Sequence, residues 1–305
     1  MAVTKHSEVV VPLCYGESRV DGIKIFEDKV EISNDEQYLC MVYVIAEGPI
    51  ASFKNVKIND EDLFVGSYQS GVIGQADISA KFNKHIQVEL WNGHTDGRHI
   101  SLFDTTSTKW KTDSTLNGKA AIALKIRLGG EIKDENVTLT TFVKGRLVQD
   151  IRYQTGDEVY GYTSGGGVYD SVTEPGTNPA LCLYDYLTHA RYGAGFTAVD
   201  LNLNSFIEAA NWCDVNLIRC NGVIDQAEEY KKIIESLLLC FRASLTRLNG
   251  VVHLMLDVPA VSVQHYELEH TINKIKIEYQ AQDKYFNQLE VTYNTLYEES
   301  DTASV

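Results

Sequence analysis

Between residues 20 and 150 the apolar positions either alternate with polar ones or run together in short blocks, and no helical period is sustained. Val20 to Glu31 alternates loosely. Tyr38 to Ala46 is apolar throughout and ends at Gly48-Pro49, the pattern of a strand buried on both faces. Phe53–Ile58 alternates up to the turn pair Asn59-Asp60, and Ile86–Trp91 alternates up to Asn92-Gly93. Ala120–Leu128 and Val137–Val143 complete the predicted strands, with short turns expected at Glu61–Leu63 and Ser101–Thr106.

From Gln154 to Gly176 the composition shifts to Gly, Tyr, Ser and Thr around Gly165-Gly166-Gly167, which predicts a long surface connection. Helices follow. Asn178 as N-cap and Pro179 at the first helical position predict a helix to about Ala190, stopped by Gly193. Its packed side would carry Leu181, Leu183, Tyr184 and Leu187. Asn204 is predicted to cap a second helix through Trp212. Gln226–Arg242 should form a third, with Ile233, Ile234, Leu237, Leu238 and Phe241 along one face. The strand period then returns. Ser244–Leu248 and Val251–Leu256 flank Asn249-Gly250, a strong hairpin signal, and Lys274–Tyr279 and Gln288–Tyr293 alternate. The acidic end, Glu298–Val305, is expected to fray. The class is α+β. Its predicted parts are an N-terminal β domain over 1–150, the Gly/Tyr-rich connection over 151–177, a helical insertion over 178–243, and a C-terminal β segment over 244–305 packing with the first domain.

Charge narrows the function. Asp and Glu number 42 against 27 Lys and Arg, a net charge of −15. A protein holding nucleic acid by its phosphates needs basic clusters, so specific nucleic-acid binding is not expected, nor is an anionic membrane surface. No run approaches the roughly 18 apolar residues of a spanning helix, and Met1–Leu13 does not read as a signal peptide. The six cysteines (14, 40, 182, 213, 220, 240) have no CxxC spacing and mostly sit in apolar contexts such as Leu238–Phe241, so buried free thiols are expected.

Candidate chemistry is sparse. His94, Asp96 and His99, with Asp104 near, have the residue types of a divalent-metal site, but Gly93 and Gly97 make a polar hairpin loop the simpler reading. Ser164 in Gly161-Tyr162-Thr163-Ser164-Gly165 lacks the Gly two residues ahead that a nucleophile elbow requires. Gly165–Gly167 is not followed by Lys-Ser/Thr, as a P-loop would be. Glu228, Glu229 and Asp283 cannot be placed as a catalytic pair. No catalytic residue, metal site or cofactor is expected. Tyr160, Tyr162 and Tyr169 stand as a possible subunit interface, since Tyr adds contact area at low rotamer cost; a loop packed on its own subunit is the alternative.

Several strings, taken in order, carry a resemblance. They are Tyr15-Gly16 with Arg19-Val20; Glu47-Gly48 with Ile50, followed by Val56–Asp60; Val143-Lys144-Gly145-Arg146 with Val148; Asn178-Pro179-Ala180 with Asp185, Leu187-Thr188 and Arg191-Tyr192-Gly193 to Gly195; and Glu208-Ala209-Ala210 with Cys213-Asp214. From about residue 13 to residue 256 the chain resembles the tip attachment (host specificity) proteins of long-tailed phages, lambda type. That resemblance implies β-barrel-like hub domains with an α-helical insertion, in a homotrimeric baseplate hub that closes the distal tail tube in the virion. It also implies a distal tail or tail-tube protein above and a fibre or receptor-binding protein below. Lambda-type members continue into fibronectin-like repeats and a receptor-binding end, and direct host recognition is not carried over to this chain. A tail-associated cell-wall or capsule hydrolase and a stand-alone host-surface-binding module are the competing readings. An acidic tube lining would repel DNA and let it slide.

Overall fold

A computed structural model describes residues 10–33, 36–94, 99–111, 113–129, 136–155, 159–162, 176–259, 290–293 and 301–304. The first ten strands are β1 (Leu13–Tyr15), β2 (Glu17–Asp21), β3 (Ile23–Ser33), β4 (Glu36–Glu47), β5 (Ile50–Ile58), β6 (Glu61–Tyr68), β7 (Gly71–Val72), β8 (Ile86–Trp91), β9 (Lys119–Arg127) and β10 (Leu139–Arg146). They build two antiparallel sheets, ordered β2-β10-β5-β6 and β3-β4-β9-β8-β7. Both sheets stay open. The N-terminal half of the α+β fold, expected to be barrel-like, is therefore a sandwich, and among the described residues neither sheet closes into a barrel.

The period of two decides what each face meets. Leu39, Met41, Tyr43 and Ile45 on β4, with Ile122, Leu124 and Ile126 on β9, face Phe53, Val56 and Val143 of the other sheet across one core. The intervening Cys40 and Val42, with Ala121 and Ala123, face outward and are buried again, under Ile100, Phe103 and Trp110 of the segment 99–116. Double burial of β4 is what its unbroken apolar run predicts. The alanines make room for that cover, and each of its three large side chains is worth roughly 1.5–3 kcal/mol when fully buried. Trp110 packs edge-on to Phe26, with ring centroids 5.0 Å apart. Asp28, buried on β3, accepts from Ser107 Oγ at 2.6 Å and pairs with Lys109, tying the cover down. The expected turn at Glu61–Leu63 is instead the start of β6. Asn59 and Asp60, with φ of 49° and 65°, make a tight hairpin turn, and pairing with β5 overrides the weak local pattern of β6.

Past β10 come β11 (Gln149–Thr155), β12 (Val159–Tyr162), α1 (Pro179–Thr188), α2 (Leu203–Val215), β13 (Gly222–Ile224), α3 (Tyr230–Leu239), β14 (Ala243–Leu248) and β15 (Val251–Leu256). The surface connection expected from Gln154 onward thus begins as a hairpin, β12 pairing antiparallel with β11. Asn178 caps α1 through its side chain, as predicted. The cap of α2 is Asn202 and not Asn204: its side chain accepts from Ser205 N at 3.0 Å, and its own N–H is held by Val252 O at 2.8 Å. In α3, Ile233, Leu237 and Leu238 are buried, and the helix is shorter at both ends than its periodicity suggests. The three helices and the hairpin β14–β15 share one core with Val148 and Ile151.

β1 links the two cores. Leu13 and Tyr15 point into the helical core and Cys14 into the sandwich, while the strand pairs with β13. Five cysteines are buried free thiols. Cys240 is exposed, contrary to its apolar sequence context, because α3 has ended and Leu239 beside it is 80% exposed.

Residues 257–305 form a separate compact unit. In it β16 (Glu290–Tyr293) pairs antiparallel with β17 (Asp301–Ser304), so part of the end expected to fray is a strand. Lys274–Tyr279 lies outside the described residues.

Candidate functional site: a polar joint between sandwich and helices

Four of the quoted strings, distant in sequence, meet where α1 rests on the sandwich, the first of them through Tyr15 on β1. Glu47 ends β4 and precedes a cis Gly48-Pro49 bond, Arg146 ends β10, and Asp185, Arg191 and Tyr192 lie on or just beyond α1. Asp185 is the hub of the cluster. Its Oδ2 accepts from the Tyr15 hydroxyl at 2.6 Å and the Tyr192 hydroxyl at 2.7 Å, and its Oδ1 lies 3.7 Å from Arg146 Nε. Arg146 also donates to the Gly48 carbonyl and lies over the Tyr192 ring, 5.4 Å from its centroid. Arg191 Nη1 donates to Glu47 Oε1 at 2.9 Å and Nη2 to the Gly118 carbonyl at 3.2 Å. The His189 ring stacks on Tyr192 at 3.6 Å.

Burial sets the protonation of this cluster. It pushes the Tyr15 and Tyr192 phenols well up, and the neighbouring Asp185 charge adds to the effect, so both remain O–H donors. It also raises the Glu47 carboxyl, against the pull of Arg191, Lys119 and Arg146. His189 is held below its ordinary value by burial, then by Arg146 and Arg191, with Asp185 opposing.

Two glycines of the same strings are there for closeness. A Cβ on Gly145 would sit 2.2 Å from the Cys14 carbonyl oxygen, and one on Gly193 would sit 1.9 Å from that of Tyr186. β10 can therefore press against β1, and the chain leaving α1 folds back so that Ala194 N donates to Tyr186 O at 2.9 Å.

A second knot fastens α1 to α2. Asn178 Nδ2 donates to Ala210 O at 2.9 Å and to Asp214 Oδ1 at 3.0 Å. Arg152 donates through Nη1 to Asp214 Oδ2 at 2.6 Å and through Nε to Asp150 Oδ1 at 2.8 Å. Burial opposes the Arg152 charge, but the two carboxylates outweigh it and raise its pKa further. A buried arginine between two acids costs several kcal/mol if one partner is removed, which makes it a lock on one geometry.

The sequence-predicted candidates fall elsewhere. Tyr160 and Tyr162 lie on β12, where only the backbone is described, and Tyr169, Ser164, Asp96 and Asp283 lie outside the described residues. His99 Nε2 lies 3.1 Å from Asp104 Oδ1 and from Oδ2, and His94 lines a recess beside the joint. Glu228 and Glu229 are exposed. Among the described residues no three His, Cys, Asp or Glu side chains converge as metal ligands, and no helix is long and apolar enough to cross a membrane. Residue-type reasoning passed over Glu47, Arg146, Arg152, Asp185, Arg191 and Asp214. For all of these but Arg152, which lies outside them, the signal was a place inside the quoted strings.

No protein-family model matches the chain, and neither does any curated protein sequence. Among solved structures the chain is similar to one described as "Virion of native gene transfer agent (GTA) particle", with a TM-score of 0.55 and 10% sequence identity. The match covers 99% of this chain and 65% of the other. At that identity the likeness is one of fold.

Proposed function

We propose that this chain is a structural virion subunit of a phage tail tip, a baseplate-hub protein that closes the distal tail tube as a homotrimer. A distal tail or tail-tube ring would sit above it, and fibre or receptor-binding proteins would seat below. The observation that carries this reading is a fold shared along nearly the whole chain with a chain of a virion particle. The joint supports it, because the residues that recur in the tail-tip resemblance are spent on fastening one layer of this chain to another. A subunit that transmits load between neighbours needs that rigidity. Its acidity suits a tube lining that DNA must slide past. On this reading the chain has no hydrolytic activity of its own.

The test is to locate and count the subunit in assembled particles. An epitope inserted at the exposed Asn249-Gly250 turn, imaged by electron microscopy, should mark the distal end of the tail, with three copies around the axis. Labelling along the tail shaft or on the head, or six equivalent copies, would refute the proposal. Purified chain should leave peptidoglycan and capsule intact. Turnover that disappears when Ser164, His94 and His99 are changed together to Ala would restore the hydrolase reading.

A further inference from the structure

A recess of about 440 Å³ opens on the outer side of the joint. Its charged and titratable lining consists of Lys119, Arg146, Arg191, His94 and His189, and no carboxylate lines it among the described residues. In a chain with 42 acidic and 27 basic residues, that sorting is unusual. The two nearest acids are drawn inward. Glu47 and Asp185 keep side-chain exposures of only 7% and 12%, whereas Arg191 is 42% exposed. The acids thus hold the guanidinium groups in place from behind and leave a cationic face in front.

That face is preorganised. The Glu47 and Gly118 contacts fix the plane of Arg191, and a guanidinium has five donors, so capacity remains for an incoming anion. An anion arriving here meets a fork already ordered, with little rotamer entropy left to lose. Burial holds His189 below its ordinary value, and Arg146 and Arg191 push it the same way against Asp185, as their placement around the recess requires. The space suits one or two side chains and is too narrow for a duplex.

We infer that this recess is an anion socket that receives an Asp or Glu carboxylate from a neighbouring copy of this chain. The argument for that occupant is charge complementarity. Each copy carries a net −15, so copies brought side by side repel unless some cationic feature meets the acids opposite. The occupant rests on the ring assembly proposed above; the socket's affinity for a carboxylate does not.

Two measurements test it. The first titrates isolated chain at low salt with the capped dipeptide acetyl-Glu-Glu-amide, followed by NMR or calorimetry, with inorganic phosphate as a second arm. Saturable peptide binding is expected, weakened at least tenfold by Lys119→Glu at the rim and by Arg191→Gln, each checked for a parental fold by circular dichroism. Absence of saturable binding, equal binding by correctly folded Lys119→Glu, or binding of phosphate without the peptide would overturn the socket. The second treats intact particles with a water-soluble carbodiimide, which joins an amine to a carboxylate in contact with it. Mass spectrometry of particles carrying light and heavy isotope copies should find Lys119 linked to an Asp or Glu of another copy. Linkage only within one copy, or only to a different protein, would overturn the occupant. A chain located away from the tail tip that still binds the peptide would refute the proposed function and leave the socket standing.

Discussion

Changing Asp185 to Asn keeps its size and removes the charge that three partners share. Its Oδ2 serves both the Tyr15 and Tyr192 hydroxyls, and its Oδ1 faces Arg146. An asparagine turned with its oxygen to the phenols would point its amide donors at a guanidinium; turned the other way, it would set those donors against two hydroxyls. Hydrogen bonds to a charged acceptor are worth about 1.5–3 kcal/mol and neutral ones about 0.5–1.5. Weakening two of them costs roughly 2 kcal/mol, and loss of the Arg146 pair in a site about a tenth exposed brings the total to about 2–4 kcal/mol. At ~2–4 °C per kcal/mol for a unit of this size, the melting temperature should fall by about 4–16 °C. Thermal and urea unfolding followed by circular dichroism would read it. Tyr15→Phe, tested alone and combined with Asp185→Asn, should show a coupling of about 1 kcal/mol or more. If Asp185→Asn melts with the parent, or the two changes are additive, the joint does not fasten α1 to the sandwich.

Other perturbations test the neighbouring layers. Leu187 is 1% exposed in the helical core, so Leu187→Ala should cost about 2–5 kcal/mol in urea unfolding, and exposed Lys231→Ala should cost almost nothing. Gly193→Ala should lower the melting temperature, because its Cβ would press into the Tyr186 carbonyl; an unchanged melt would show that the turn yields freely. His189 has a folded pKa below its ordinary 6.5, so the fold favours the neutral ring. Its contribution is complete above about 6.5 and is lost as pH falls through the folded value, so His189→Gln should flatten the stability–pH curve on that acid side. Burial pushes Cys14 and Cys213 up to about 12 and Cys40 up to about 11. Burial raises the Cys240 thiol as well, but its surface exposure leaves it within reach of solvent. Iodoacetamide at mildly alkaline pH should therefore label native chain at Cys240 and reach the buried five only after unfolding; native labelling of Cys14 would contradict the packing of β1.

The elements that were legible in sequence are those whose physics is local. The unbroken apolar run of β4, the Asn178-Pro179 start of α1 and the Asn249-Gly250 turn depend on residues within a few positions of one another, so period and cap chemistry reveal them. Where local signals tie, tertiary contacts decided. Asn202 and Asn204 are equally good caps, and α2 begins after Asn202 because that residue is also held by Val252 of β15. β6 has no clear alternation and exists because β5 lies beside it. The strings of the tail-tip resemblance marked positions without saying what they do. Glu47, Arg146, Asp185 and Arg191 are up to 144 residues apart, and only the fold brings them together. Which carboxylate serves which guanidinium, and which glycine yields to which carbonyl, is decided by how two layers built from distant stretches of chain dock, and no local pattern in a chain encodes that.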